Sequence, residues 1–263
     1  MERSNHALVL GMTAHNDLLS TNQNFLLAAL SGLDLERITP YLEQLTLRLG
    51  DVLYEAGDLQ HYVYFPVSAI VSMHHELENG GSAEVANVGR EGVLGFALFM
   101  GGQSTPSRAV VLAGGVVFRI RGEHLMQEFD RGTGLMKLLL RYSQALLTQV
   151  SQTAVCNRHH ALDQQLSKWL LFTLDRLSNN ELTMTQELIA SMLGVRREGI
   201  TEAAGKLQDQ GYIRYRRGHI TVLNRQGLEK NACECYQLVR AEFSRLLQDI
   251  HSKPRALNLR NQP

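Results

Sequence analysis

The 263-residue sequence predicts an α+β protein in three parts: an antiparallel β domain, one long helix and a C-terminal winged helix-turn-helix. Three observations carry that reading. Twelve of the 22 glycines fall between Gly50 and Gly122, spaced among short runs rich in Val, Ile, Tyr and Phe. No glycine stands between Gly134 and Gly194, and no proline between Pro106 and Pro254, so a helix of many turns can run unbroken. Finally, Ala190, Gly194 and Ile200 repeat the small residue, glycine and branched apolar residue of a helix-turn-helix.

Residues 1–21 lack any periodicity and read as a mobile N-terminal arm. Residues 22–30 follow Asn22, a candidate N-cap, and residues 33–45 give a second short helical pattern after a turn at Ser31-Gly32. The texture changes at Leu47. Residues 62–65, 69–73, 85–88, 109–112 and 116–120 read as strands. Gly57-Asp58, Asn79-Gly80-Gly81, Gly101-Gly102 and Gly114-Gly115 supply their turns. Many short strands joined this way indicate a sandwich, roll or barrel.

Residues 123–129 read as a short helix and residues 135–157 as the long one. The long helix carries a near-heptad apolar stripe through Leu135, Leu139, Tyr142, Leu146, Val150 and Thr153. That stripe is expected to form a dimer seam, which is compatible with partial packing on the β domain. Arg158-His159-His160 breaks the pattern and marks a hinge; residues 162–177 resume it, with Trp169 on the core side. The expected domains are therefore an arm at 1–21, a β domain at 22–132, and a dimerisation helix and hinge at 133–160. A winged helix-turn-helix at 161–251 and a polar tail at 252–263 complete the chain.

Leu188, Ile189, Met192 and Leu193 give the first helix of the motif an apolar face, and Gly194 supplies the positive φ of the tight turn. The second helix buries Ile200, Ala203, Ala204 and Leu207 and leaves Arg196, Arg197, Glu198, Thr201, Glu202 and Lys206 outside. Those side chains can read base edges and grip phosphates. A helical hairpin with a solvated face would look the same, so the next stretch decides. Ile213, Tyr215, Ile220 and Val222 alternate along two short strands that turn at Arg217-Gly218. A basic hairpin bearing Arg214, Arg216 and Arg217 directly after a helix-turn-helix is a wing. Residues 226–249 read as one further helix.

Charge is distributed to match. The formal net charge is zero, yet residues 1–182 hold 13 Lys+Arg against 18 Asp+Glu, while residues 183–225 hold 7 against 4. The basic excess surrounds the proposed reading head and is modest, which suits a dimer that doubles the phosphate contacts. No apolar run can span a bilayer and no secretion signal opens the chain, so the cytoplasm is the expected compartment and no membrane partner is expected. Of the three cysteines, Cys156, Cys233 and Cys235, the pair in Cys233-Glu234-Cys235 is too sparse for a four-thiolate zinc or iron–sulfur site, which would need ligands elsewhere in the chain. It reads as two buried or half-buried helix thiols, and no metal or other cofactor is assigned.

A β domain, a long helix and a winged helix in this order resemble the Crp-Fnr family of bacterial transcription regulators, the type of the cyclic-AMP receptor protein and the fumarate–nitrate regulator. The resemblance covers most of the chain and is most specific at Ile189-Ala190, Gly194, Arg197-Glu198 and the run from Leu207 to Ile213. It implies a double-stranded β-helix, a jelly roll of the cyclic-nucleotide-binding type, and a homodimer on double-stranded DNA that works with RNA polymerase. It also implies that Arg197 and Glu198 meet bases in the major groove. Glu202 stands where several members carry arginine, so the half-site differs there.

The sensing cassette departs further. Phe96 replaces the glutamate that accepts from the ribose, and Arg108 is out of register with the phosphate-binding arginine. An unpaired ribose hydroxyl costs about 1–3 kcal/mol, so cyclic AMP is not the expected effector. Arg90, Glu91, Gly95, Phe96 and Arg108 remain a candidate pocket for some other small molecule, against the alternative of a roll kept as scaffold. The N-terminal cysteines of oxygen-sensing relatives are missing. His74 and His75 point to opposite strand faces and cannot share a metal inside the roll.

The sequence thus reads as a regulator and not an enzyme. A metal-dependent β-roll enzyme would need histidines and a carboxylate converging inside the roll, and His61, His74, His75 and His124 lack the spacing. A nucleotide-binding module whose helical half contacts protein is the third reading.

Overall fold

The computed structural model describes residues 23–177 and 180–247; the expected arm, the Asn22 cap, the loop at 178–179 and the polar tail lie outside them. The chain opens with two short helices, α1 (Phe25–Ala28) and α2 (Gly32–Ile38), and a 3-10 turn at Thr39–Tyr41. Asn24, fully buried, caps α1: its Oδ1 accepts from the Leu26 and Leu27 amides. Its Nδ2 donates to the carbonyls of Pro66 and Gly92, at 2.8 and 3.0 Å, so one side chain both starts the helix and fastens it to the β domain.

Seven strands follow: β1 (Glu43–Leu47), β2 (Val52–Tyr54), β3 (Tyr62–Pro66), β4 (Ile70–Glu76), β5 (Ser82–Val88), β6 (Arg108–Ala113) and β7 (Gly115–Arg121). They form two antiparallel sheets, ordered β1-β7-β3 and β2-β6-β4-β5, which close over one core as a β-roll. The five strands expected from sequence are all present. The pattern expected as helix at 33–45 ends early, and Glu43–Leu47 is a strand paired with β7 from Glu43↔Arg119 to Leu47↔Gly115. Leu45 and Leu47 alternate with Gln44 and Thr46, a two-residue period that the preceding helical residues disguise. Gly115 is required where β7 passes Ala69 and Ser68, since a Cβ there would lie 2.6 Å from their backbone atoms.

A short helix α3 (Phe96–Phe99) interrupts the roll, and α4 (Gly122–Phe129) closes it. The long helix α5 (Gly134–His159) then runs 26 residues. Its stripe faces inward: Leu135, Leu139, Tyr142 and Leu146 are buried in the chain's own roll core, with Val150 packed against it. Of the seam expected at Leu135, Leu139, Tyr142, Leu146, Val150 and Thr153, the first four are thus taken up by the roll, while Val150 and Thr153 stay half-buried. A roll that leaves one side open takes the most apolar face of the nearest helix, and the exposed apolar residues are Leu140, Leu147 and Val155.

Helix α6 (Leu162–Arg176) leads into β8 (Glu181–Thr183), α7 (Gln186–Leu193), α8 (Arg197–Asp209), β9 (Ile213–Arg216) and β10 (His219–Val222). The sheet order β8-β10-β9 adds a third strand to the expected hairpin. A second core joins α6, α7 and α8 through Leu166, Trp169, Leu170, Ile189, Ile200 and Leu207. The helix expected at 226–249 is two: α9 (Arg225–Asn231) and α10 (Glu234–Leu247). Ala232 takes an extended conformation (φ −64°, ψ 147°), which no proline or glycine announces.

Candidate nucleic-acid interface

The motif is built from its corner outward. Thr185 Oγ1 accepts from the Leu188 amide and starts α7. Gly194 ends it at φ 66°, ψ 34°, the left-handed geometry that a side chain resists. Helix α8 then begins at Arg197, with exposed Arg196 in the cap position. Ile200, Ala203, Ala204 and Leu207 are buried beneath.

Every side chain expected to meet DNA is on the outside. Arg196, Arg197, Glu198, Thr201, Glu202 and Lys206 on α8, and Arg214, Arg216 and Arg217 on the wing, are all exposed. The face is partly organised already. Thr201 Oγ1 donates to Gln186 Oε1 at 2.9 Å, and Lys206 Nζ lies 2.9 Å from Glu202 Oε1. The hydrogen bond and charge of Lys206 hold the Glu202 carboxyl below its ordinary range, and Glu202 raises Lys206 in return. This pair keeps one cation of the face occupied by a carboxylate. Arg217 and Gly218 both have positive φ (52° and 81°), the twist a two-residue hairpin of type I′ needs. Tyr215 Oη donates to the Met184 carbonyl at 2.8 Å, fixing the wing against the strand that precedes α7.

Of the residues expected as an effector pocket, Arg90 and Glu91 line one cavity, while Gly95, Phe96 and Arg108 do not line it. Arg90 Nη2 donates to the Asp175 carbonyl (3.1 Å), with its guanidinium 5.2 Å from the Phe25 ring centre. Glu91 Oε1 accepts from Arg176 Nε at 2.7 Å, and Arg176 Nη1 donates to the Phe172 carbonyl. Arg90 and Glu91 therefore join the roll to α6. Gly89 lets the Arg176 stem pass, because a Cβ there would meet it at 2.7 Å. Gly95 sits at φ 88° against the Tyr62 carbonyl, and Phe96 opens α3. Arg108 lies on β6 and pairs outward with Glu55 and Glu76, at 2.7 and 3.1 Å. The space between roll and long helix is occupied by Tyr142, whose hydroxyl would touch any Cβ at Gly92. Burial drives the Tyr142 phenol far above its ordinary pKa. The cavity that Arg90 and Glu91 line, of about 440 Å³, opens between α1, α6 and α10, and its lining also includes Phe25, Phe172, Phe243, Arg176, Arg240 and Asp175.

The helix-turn-helix also leans on the roll. Ser82 and Ser191 hydroxyls are 2.6 Å apart, and Ser72 Oγ donates to Met192 Sδ. Trp169, a core residue as expected, donates its indole N–H to buried Glu84 at 3.0 Å. Burial pushes the Glu84 carboxyl up to about 7, against the lowering pull of the nearby Ser72 hydroxyl and the Trp169 indole.

Sequence reasoning missed one cluster. The absence of a ligand set around the cysteines does not hold in space: Cys156, His160, Cys233 and Cys235 bring four donor atoms within 4.8 Å of one another. Cys156 lies in the last turn of α5 and His160 follows as its C-cap, and the unannounced break at Ala232 brings Cys233 and Cys235 beside them. Among the described residues this is the only such group, and the histidines of the roll form none.

The chain matches the family described as the cyclic nucleotide-binding domain over residues 44–131, and the Crp-like helix-turn-helix domain over residues 164–231. No curated protein matches it by sequence. Similar solved structures include FixK2 from Bradyrhizobium japonicum, 19% identical over 73% of this chain and 98% of that one, with a TM-score of 0.64. TTHA1359 from Thermus thermophilus, a transcriptional regulator of the CRP/FNR family, is 22% identical over 72% and 98%, with a TM-score of 0.57. CLP from Xanthomonas campestris, a c-di-GMP responsive global regulator, is 17% identical over 73% and 99%, with a TM-score of 0.57. At these identities the likeness is one of fold. Among the described residues no helix is long and apolar enough to cross a membrane.

Proposed function

The chain belongs to the Crp-Fnr family of transcription regulators, and from that premise we propose that it reads a near-palindromic DNA site as a homodimer, without cyclic AMP. The observation that carries the reading is the exposed face of α8: Arg197 and Glu198 stand free at its start above a rigid, buried underside. Arginine suits O6 and N7 of guanine, and glutamate suits the amino group of cytosine. The wing arginines Arg214, Arg216 and Arg217 grip phosphates and position the helix.

Dimer formation uses the outward face of α5, where Leu140 and Leu147 stand one heptad apart with Val155 beyond them. Two recognition helices then enter successive major grooves about 34 Å apart. Two features support independence from cyclic AMP. Phe96 offers the ribose no acceptor, and Tyr142 fills the space between roll and long helix. The cavity combines an apolar part with Arg90, Arg240, Asp175 and the Glu91–Arg176 pair, which suits a polar effector, and it touches α6 and α10 at once. Such a ligand would bias the DNA-binding half by differential contacts. RNA polymerase is the remaining partner, in the cytoplasm.

The test is selection of bound sequences from random DNA, followed by two substitutions. Arg197→Ala should cost about 1–3 kcal/mol on the selected site and relax preference at one base pair. Arg216→Ala should weaken binding to all sequences alike and lower the salt slope by about one. Equal loss on selected and random DNA for Arg197→Ala would remove α8 as the reader.

A further inference from the structure

We infer that Cys156, His160, Cys233 and Cys235 form a tetrahedral Cys3His site for one Zn(II) ion, which ties the end of the long helix to the start of the last helix. The distances fit before any ion is added. Cys156 Sγ and Cys233 Sγ are 3.5 Å apart, and Cys235 Sγ and His160 Nδ1 are 3.4 Å apart. A zinc tetrahedron with bonds of about 2.3 Å to sulfur and about 2.0 Å to nitrogen has edges of about 3.8 Å and about 3.5 Å.

The surroundings are those of a ligand set. All three thiols are buried, and the His160 side chain is 16% exposed. Glu234 Oε1 stands 3.3 Å from His160 Nε2, the carboxylate–histidine arrangement that orients a metal-bound imidazole. Gln152 Nε2 donates to Cys235 Sγ at 3.1 Å, a bond that a thiolate accepts better than a thiol. Zn(II) displaces three thiol protons to the solvent, leaving the site one net negative charge, which the buried neighbour Lys168 offsets.

Other occupants fit less well. A disulfide between Cys156 and Cys233 would leave Cys235 and His160 aimed at the same point with nothing to hold. An iron–sulfur cluster interposes several irons and sulfides between its ligands and holds them further apart than these four atoms, which lie within 4.8 Å of one another. Three thiolates and an imidazole in a tetrahedron select zinc by both softness and geometry.

The site would staple the link at His160 and Ala161, between α5 and α6, to the break before α10. It stands whether or not the DNA reading holds. Full-length protein, purified without chelator and kept reduced, should carry or take up about one zinc per chain. Co(II) in its place should show thiolate charge-transfer and tetrahedral ligand-field bands. Cys235→Ser and His160→Gln should lose that spectrum, and Glu234→Gln should weaken zinc binding about ten- to a hundredfold. Should the serine variant fail to fold, the Co(II) spectrum of the unsubstituted protein still decides. Folded, reduced protein that takes up no zinc overturns the site; so does iron with inorganic sulfide, or a Cys235→Ser chain with unchanged zinc affinity.

Discussion

Arg176 and Arg197 carry the same guanidinium into opposite surroundings. Arg176 is buried at the junction of roll and α6, where Glu91 and the Phe172 carbonyl take its hydrogen bonds. Arg197 is exposed at the head of α8. The acidic partners divide the same way, with Glu91 largely enclosed beside Arg176 and Glu202 open to solvent beside Lys206. A charge whose partner is inside the chain becomes structure. A charge left in water, or loosely paired there, stays available to another molecule. At the junction Glu91 of the roll and Arg176 of α6 hold the two halves together, while the charges of α8 and the wing face outward.

The largest break in that contrast comes from Arg176→Ala. Removing one member of a buried pair strands the other, so the variant should lose about 3–5 kcal/mol of stability, read by chemical denaturation. Arg197→Ala should leave the same melt within about 0.5 kcal/mol of the parent. Comparable losses from both would mean that the junction is as wet as the recognition face.

Glu84 sharpens the contrast through pH. Its carboxyl is raised to about 7 by burial, so the neutral acid is the form the junction favours. The stability tied to that protonation is fully present below the ordinary carboxylate pKa and is lost as pH climbs to about 7. It amounts to roughly 3 kcal/mol in order of magnitude. Glu84→Gln keeps the shape, cannot ionise, and should flatten stability between about pH 5 and about pH 8. A pH profile unchanged by the substitution would show that Glu84 is not buried in solution.

The winged helix was legible because its signals are local. Gly194 must turn the chain, and Ala190, Ile200 and Leu207 must pack, so spacing alone places Arg197 outside. The strands of the roll were legible for the same reason, except Glu43–Leu47, where adjoining helical residues masked a two-residue period. What sequence could not settle was choice between partners. The stripe of α5 suits a second copy or a roll equally well, and the roll is nearer in the chain; Leu135, Leu139, Tyr142 and Leu146 went there. Arg90 and Glu91 look like ligand groups until Asp175 and Arg176, 85 residues on, are brought beside them. The cysteine–histidine group joins residues 77 apart across a helix break that no glycine or proline marks.

The smallest effect is the most discriminating, because it should move stability and binding in opposite directions. Arg217 occupies the first corner of the wing turn at φ 52°, where an arginine Cβ is strained and asparagine is at ease. Arg217→Asn should therefore raise stability slightly, by less than about 1 kcal/mol. The same change removes a cation from the wing tip, so affinity for every DNA sequence should fall and the salt slope should decrease by about one. The junction has no counterpart, since there each charge serves the fold and a loss of charge is a loss of stability. If Arg217→Asn stabilises the protein and leaves DNA binding untouched, arginine was not kept at that corner for the phosphates, and the wing belongs with the roll as scaffold.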